Sequence, residues 1–123
     1  MKFSTIILLF TLFQAPLTVV KNNGDQIILT NVRFYQTEKL ASKEEISYSY
    51  RGTVDKIKLK EIKRISFKET VQKKKGITTY RVILVKDNND KLDVELDLVK
   101  VEGINSQGEK ESMNLSSVDK ISF

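Results

Sequence analysis

The chain has no cysteine, no histidine and no tryptophan, and of its 123 residues only one is proline and five are glycine. Without Cys and His it has no thiol nucleophile, no Ser-His or Cys-His pair, no disulfide and no common zinc or copper ligand set, because each needs one of those side chains. Carboxylates, Lys, Tyr, Ser and Thr remain for acid-base or covalent chemistry, and no arrangement of them marks an enzyme. The reading is therefore a non-enzymatic protein with no cofactor and no metal. The glycines are isolated from one another and mark turns, so no glycine-rich loop is present to cradle a phosphate.

A run long enough to cross a bilayer is also missing. The longest apolar stretch, residues 3–13, covers about half of the roughly 20 residues a spanning helix needs. With Lys2 before it, that stretch has the form of a secretory signal over residues 1–16. A periplasmic or secreted location follows, with no transmembrane segment in the mature chain, and the lack of Cys excludes a lipoprotein anchor. Apolar residues make up 40% of the chain and charged residues 30%, which is enough hydrophobicity for a folded core.

One frame occurs twice. Ile57, Leu59, Ile62, Ile65, Ser66 and Phe67 match Met113, Leu115, Val118, Ile121, Ser122 and Phe123, so the chain contains an internal duplication. Two similar β units are expected, residues 17–67 and 77–123, joined by a polar linker at 68–76. Charge divides along the same line. Residues 21–76 hold 14 Lys/Arg against 7 Asp/Glu, whereas 77–123 hold 6 against 9; such asymmetry can steer an anionic partner to the first half or let the halves of two molecules attract each other, and it is also what solvated strand faces of a Lys-rich protein give.

Local patterns point to strands throughout. The β-branched run 17–20, the turn at Asn23-Gly24 and the run 26–29 predict a hairpin whose second strand continues through Val32 and Phe34. Residues 37–45 are polar and read as a loop or one helical turn. Ile46, Tyr48 and Tyr50 alternate onto one face, and Arg51-Gly52 turns the chain into 54–59. The Leu59-x-x-Ile62 step breaks the two-residue period; a short 3₁₀ turn between strands keeps both residues inside, and an amphipathic helix over 54–67 is the competing reading. Residues 78–85 are apolar on both faces like a central strand, and Leu92, Val94, Leu96 and Leu98 alternate before a bend near Leu98. Ile57, Leu59, Ile65, Phe67, Leu115, Ile121 and Phe123 are the predicted core.

In this plan, with five short bent strands and a 3₁₀ turn before the last one, each half resembles small SH3-like or Sm-like β-barrels. The frame is also similar to short Leu-x-x-Ile-x-x-Ile-x-Phe segments of exported proteins of Gram-negative bacteria. The resemblance implies tandem partial barrels that bind partners, and it assigns no binding residue.

Candidate sites are few. Asp93, Glu95 and Asp97 share a strand face at a spacing of about 7 Å, near that of glycosidase carboxylates, yet the pattern is that of a solvated outer face. A calcium loop at 87–93 fails because Lys91 falls on a ligand position. Tyr35, Tyr48, Tyr50 and Tyr80 are either core residues or, for some, a stacking platform. Lys56, Lys58 and Lys60 form a basic strand face, and these lysines with Tyr48 and Tyr50 are the binding residues singled out. The expected partner is an unidentified protein or envelope component that adds a strand to an exposed sheet edge. The alternative is a nucleic acid or anionic surface meeting the lysines, which an export signal disfavours.

Overall fold

A computed structural model describes residues 16–36, 41–42, 44–75 and 77–123. Its regular elements are strands and two 3₁₀ turns. In order they are β1 (Leu17–Lys21), β2 (Gln26–Tyr35), β3 (Ala41–Ser42), β4 (Glu45–Tyr50), β5 (Thr53–Lys58), the turn η1 (Leu59–Glu61), β6 (Ile62–Lys74), β7 (Ile77–Lys86), β8 (Lys91–Leu98), β9 (Lys100–Ile104), β10 (Lys110–Met113), the turn η2 (Leu115–Ser117) and β11 (Val118–Ser122). The protein is all-β. The helical alternative over 54–67 is not formed: that stretch is strand, 3₁₀ turn and strand. Residues 1–15 of the expected signal, and 37–40 and 43 of the polar loop, lie outside the described residues.

All pairings are antiparallel and join the strands into one open sheet of order β10-β9-β2-β1-β11-β6-β7-β8-β4-β5, with β3 beside β2. The order mixes the two halves of the sequence. The hairpin β1–β2 lies beside β9, β10 and β11, while the hairpin β7–β8 lies beside β4, β5 and β6. Each five-strand group thus combines three strands of one half with the hairpin of the other. At the seam between groups Ile65 stands opposite Ile121, Arg64 opposite Ser122 and Ser66 opposite Lys120. Ile65 and Ile121 hold the same place in the repeated frame, so the seam pairs the frame with itself.

Of the stretch read as a linker, 68–76, residues 68–74 are strand. Strand β6 runs on through Lys74, and its register with β7 continues to Lys74 opposite Ile77. Polarity suggested a linker because 68–74 are all exposed. The cause is one-sided pairing: β11 reaches only to Ser66, so the rest of β6 is held by main-chain bonds to β7 rather than by burial.

Matching turns hold the exchanged hairpins. In the first, the Lys21 N–H donates to the Asp25 carbonyl at 2.8 Å and the Asp25 N–H to Asn23 Oδ1 at 2.9 Å; in the second, Lys86 N–H to the Asp90 carbonyl at 2.8 Å and Asp90 N–H to Asn88 Oδ1 at 3.0 Å. The left-handed position is filled by Gly24 (φ 93°) in one and Asn89 (φ 72°) in the other, the residue types that tolerate it best. Each tip then caps the 3₁₀ turn of the other half, since Asn22 N–H donates to the Ser117 carbonyl and Asp87 N–H to the Glu61 carbonyl, both at 2.9 Å.

The core follows the repeated frame. Leu59, Ile62, Leu115 and Val118 are buried, because each 3₁₀ turn returns the chain to the interior one residue late; the closing bonds run from Ile62 N–H to the Leu59 carbonyl and from Val118 N–H to that of Leu115. Ile65 and Ile121 are fully enclosed, as are Leu29, Phe34, Leu84, Leu96 and Leu98, each contributing about 1.5–3 kcal/mol of burial. Phe67 and Phe123, read as core, are only partly buried and pack against its margin. A further bulge, at Asn31 (φ 51°), shifts the register of β2 on β9 and keeps both Leu29 and Val32 inside.

Candidate functional site

Strands β4 and β5 carry the residues singled out in the sequence, and their register divides them between two faces. Ile46 opposes Ile57, Tyr48 opposes Asp55 and Tyr50 opposes Thr53, while Ser47 opposes Lys56 and Glu45 opposes Lys58. Directly opposed residues share a face, so Tyr48 and Tyr50 stand on the inner side with Ile46, and Lys56 and Lys58 on the outer side. The tyrosines and lysines do not form one surface. Tyr48 packs against the core, and burial followed by the Asp55 charge pushes its phenol pKa up. Tyr50, at the strand end, is exposed with the Arg51 guanidinium 5.1 Å above its ring. Lys56 lies 3.7 Å from Glu45 in a solvated ion pair, an interaction worth little.

Two lysines do converge, at a cavity of about 770 Å³ between the five-strand groups. Its apolar walls are Leu17 at the start of β1, Leu59 of η1, Ile62 of β6 and Phe123 beyond β11. Lys58, Lys60 and Lys63 line it too, with Glu44, Glu45 and Asp87. The size suits a small ligand or a few side chains. Sequence reasoning picked out Lys58 and Lys60 but missed the cavity, because Leu17, Leu59 and Phe123 are far apart in the chain and only the exchange of hairpins brings them together.

Beside the cavity, β5 is the last strand of the sheet order, and no described strand pairs with its outer edge. It is exposed at every position but Ile57. Of the four large hydrophobic side chains exposed among the described residues, two, Tyr50 and Val54, sit at the end of the β4–β5 hairpin, Val54 at 71% exposure.

The carboxylates of β8 are occupied elsewhere. Arg81 bridges Asp93 at 3.1 Å and Glu69 at 2.9 Å, and Thr79 Oγ1 donates to Asp97 at 2.6 Å, all on the solvated outer face. A buried carboxylate that the sequence did not reveal is Glu102. It accepts from the Tyr35 hydroxyl at 3.2 Å and lies 3.6 Å from Lys100 and 3.5 Å from Lys110. Burial by itself raises its pKa, but Lys110, the Tyr35 hydroxyl and Lys100 outweigh that and hold it below the ordinary 4.5. The Lys100 ammonium also sits 4.6 Å from the Tyr35 ring centre. Every member of this cluster has its partner within it, so it is built as a structural network.

These features define an all-β protein with one open antiparallel sheet, unpaired strands β5 and β10 at its two ends, and a cavity beside β5. No protein family matches the chain, and neither a curated protein nor a solved structure is significantly similar to it.

Proposed function

We propose that the protein is an exported, non-enzymatic binding module that takes up an extended segment of an envelope protein by strand addition along β5. The observation that carries this reading is the unpaired edge of β5, which, unlike that of β10 at the other end of the sheet, has Val54 and Tyr50 exposed beside it. An edge strand offers a row of main-chain donors and acceptors that another strand satisfies. Lys56 and Lys58 repel the same edge of a second copy, which keeps it free, while favouring a segment with acidic residues. The 3₁₀ turn before β6 and the one before β11 support viewing each five-strand group as an SH3-like or Sm-like partial barrel. The solvated state of Asp93, Glu95 and Asp97 supports a binding role over hydrolysis.

The test is a photo-crosslinking residue at position 54 in the protein's own host, combined with amide exchange on the captured complex. Strand addition slows exchange of the Thr53–Lys58 amides, and changing Lys56, Lys58 and Lys60 together to Glu weakens capture of an acidic segment. Unchanged exchange across β5 in the complex removes the proposal. Capture that fades steeply with salt and yields nucleic acid favours the anionic-polymer alternative.

A further inference from the structure

Beyond Ser66, β6 has β7 on one side and no described strand on the other, and its last residue, Lys74, pairs with Ile77 past the end of β8, where Leu98 opposes Thr78. The end of this hairpin is an arm, and lysine dominates it. Lys73 opposes Thr78 and so lies on the side of the buried Leu98, Lys74 lies on the other side with Ile77, and Lys75 turns the chain with a left-handed backbone, φ 53°. Charges on both faces add up at the edge and tip between them. Lys68 adds a fourth along the free edge, and all four lysines are exposed. The carboxylates of the arm and of β8 beside it are engaged, Glu69 and Asp93 by Arg81 and Asp97 by the Thr79 hydroxyl. Among the described residues, none of the four lysines forms an ion pair.

Two features say what such an arm meets. The register of β6 on β7 shifts between Phe67 and Glu69 and again between Thr70 and Gln72, so Lys68 and Val71 are bulge residues. Bulges twist an edge and spoil it for strand addition, which leaves charge as what this edge offers. The second feature is composition. Every cation of residues 68–75 is Lys, a point charge on a flexible stem without the Arg fork that holds one phosphate or carboxylate in fixed geometry. Residues 68–79 also contain no aromatic ring to stack a base. Among the lysines stands Val71, 48% exposed. A diffuse anionic plane with an apolar interior suits this set, because lysines reach its headgroups while an apolar side chain settles between them.

We propose that the free edge and tip of the β6–β7 hairpin dock on an anionic lipid surface, with Lys68, Lys73, Lys74 and Lys75 at the headgroups and Val71 between them. The start of β1 lies at the far end of the sheet. Thr18 and Arg64 both oppose Ser122, and Val20 and Ser66 both oppose Lys120, so β1 is entered at the end remote from the tip. The surface is also separate from the β5 edge, and either can fail without the other.

The test is co-sedimentation of the full chain with vesicles of phosphatidylcholine alone and of phosphatidylcholine mixed equally with phosphatidylglycerol. The readout is the ratio of the two affinities, in which any contribution of the apolar residues 3–13 cancels. Lys73→Gln, Lys74→Gln and Lys75→Gln together should lower that ratio by on the order of a hundredfold, about fivefold per lysine, and the loss should shrink as salt rises. Lys56→Gln, Lys58→Gln and Lys60→Gln together remove the same net charge and should leave the ratio within a few-fold. Melting temperatures of both sets, measured alongside, exclude unfolding. Equal losses from the two sets mean that net charge alone attracts vesicles, and they overturn the site, as does a wild-type protein that does not distinguish the vesicles. The chain has no Trp, so Val71→Trp reports on the edge itself. Its emission should shift to the blue with anionic vesicles and not with neutral ones, and emission that stays at its solvent value overturns the docking. Tighter, arm-dependent binding of a DNA duplex at the same salt overturns the assignment to lipid.

Discussion

The block β4-β5-η1-β6 and the block β9-β10-η2-β11 share a sequence frame, a strand plan and a 3₁₀ turn, yet they differ at three corresponding points. Ile46 opposite Ile57 matches Val101 opposite Met113, so Ser47 corresponds to Glu102 and Tyr48 to Gly103. The first block turns between its hairpin strands through Arg51-Gly52 (φ 50° and 82°), the second through residues 105–109, closed by the Asn105 N–H to the Glu109 carbonyl at 2.8 Å. The first carries the exposed Val54 and Tyr50, the second a buried charge network. What is repeated is the packing frame; what has diverged is the surface around it. Each block ends the sheet in an unpaired strand, β5 or β10; the first block borders the cavity, whereas the second carries the network of Glu102 with Tyr35, Lys100 and Lys110. The repeated frame thus supplies the packing, and the copies disagree at the positions around it.

The strongest way to break that comparison is at the seam. Ile65 and Ile121 are both fully buried and face each other, so Ile65→Ala and Ile121→Ala should each cost about 2–5 kcal/mol in urea unfolding. As direct neighbours they should couple, and the double variant should depart from the sum of the two. Near-equal single costs support the self-paired seam; a large inequality breaks it. Next in size is Gly103→Ala. A Cβ there would stand 3.0 Å from Leu29 Cβ and 3.0 Å from the Thr30 carbonyl oxygen, because the bulge at Asn31 presses β2 onto this point. Overpacking of this kind costs about 1–3 kcal/mol, while the corresponding position in the first block accommodates the whole ring of Tyr48. A Gly103→Ala protein with wild-type stability would show that β2 can shift away.

Much of this architecture was legible before the structure, for reasons tied to particular residues. The Leu59-x-x-Ile62 break exposed the 3₁₀ turns because a strand cannot bury residues three apart without one, and Asn23-Gly24 exposed the first hairpin because few residues accept its left-handed backbone. The exchange of hairpins was not legible. Alternation in 17–29 and 82–94 fixes which face is apolar, but not which neighbouring strand completes the ladder, and the two hairpins carry interchangeable patterns. Residues 68–74 misled because a strand paired on one side needs no apolar face. Tyr48 and Tyr50 were grouped with Lys56 and Lys58 by proximity in sequence, whereas the pleat sends them to opposite sides. Glu102 gave no signal, since its partners Tyr35 and Lys110 reach it only through pairing.

The third test uses pH and separates the blocks by chemistry. Glu102 is held below its ordinary 4.5 in the folded protein, so the folded state favours its ionised form. Its contribution is fully present above the unfolded value and is lost as pH falls through the depressed folded value. Melting temperature should therefore decline more steeply below about pH 4.5 in the wild type than in Glu102→Gln. If the two proteins show parallel acid profiles, the network does not set the acid stability of the second block.

The last test weighs the buried ring of Tyr80 against its hydroxyl. Tyr80 is buried, and its hydroxyl makes no hydrogen bond of good geometry among the described residues; burial pushes its phenol pKa up, and the neighbouring Thr78 side chain offsets this only in part. An unsatisfied buried hydroxyl opposes folding, and its removal with the ring retained is neutral or favourable. Tyr80→Phe should accordingly leave stability unchanged or raise it by up to about 1 kcal/mol, while Tyr80→Ala should lose about 3–5 kcal/mol by opening a void. That pair of variants weighs the ring against its hydroxyl. If Tyr80→Phe keeps the stability that Tyr80→Ala loses, the packing of the ring against Phe67 carries the contribution of this residue.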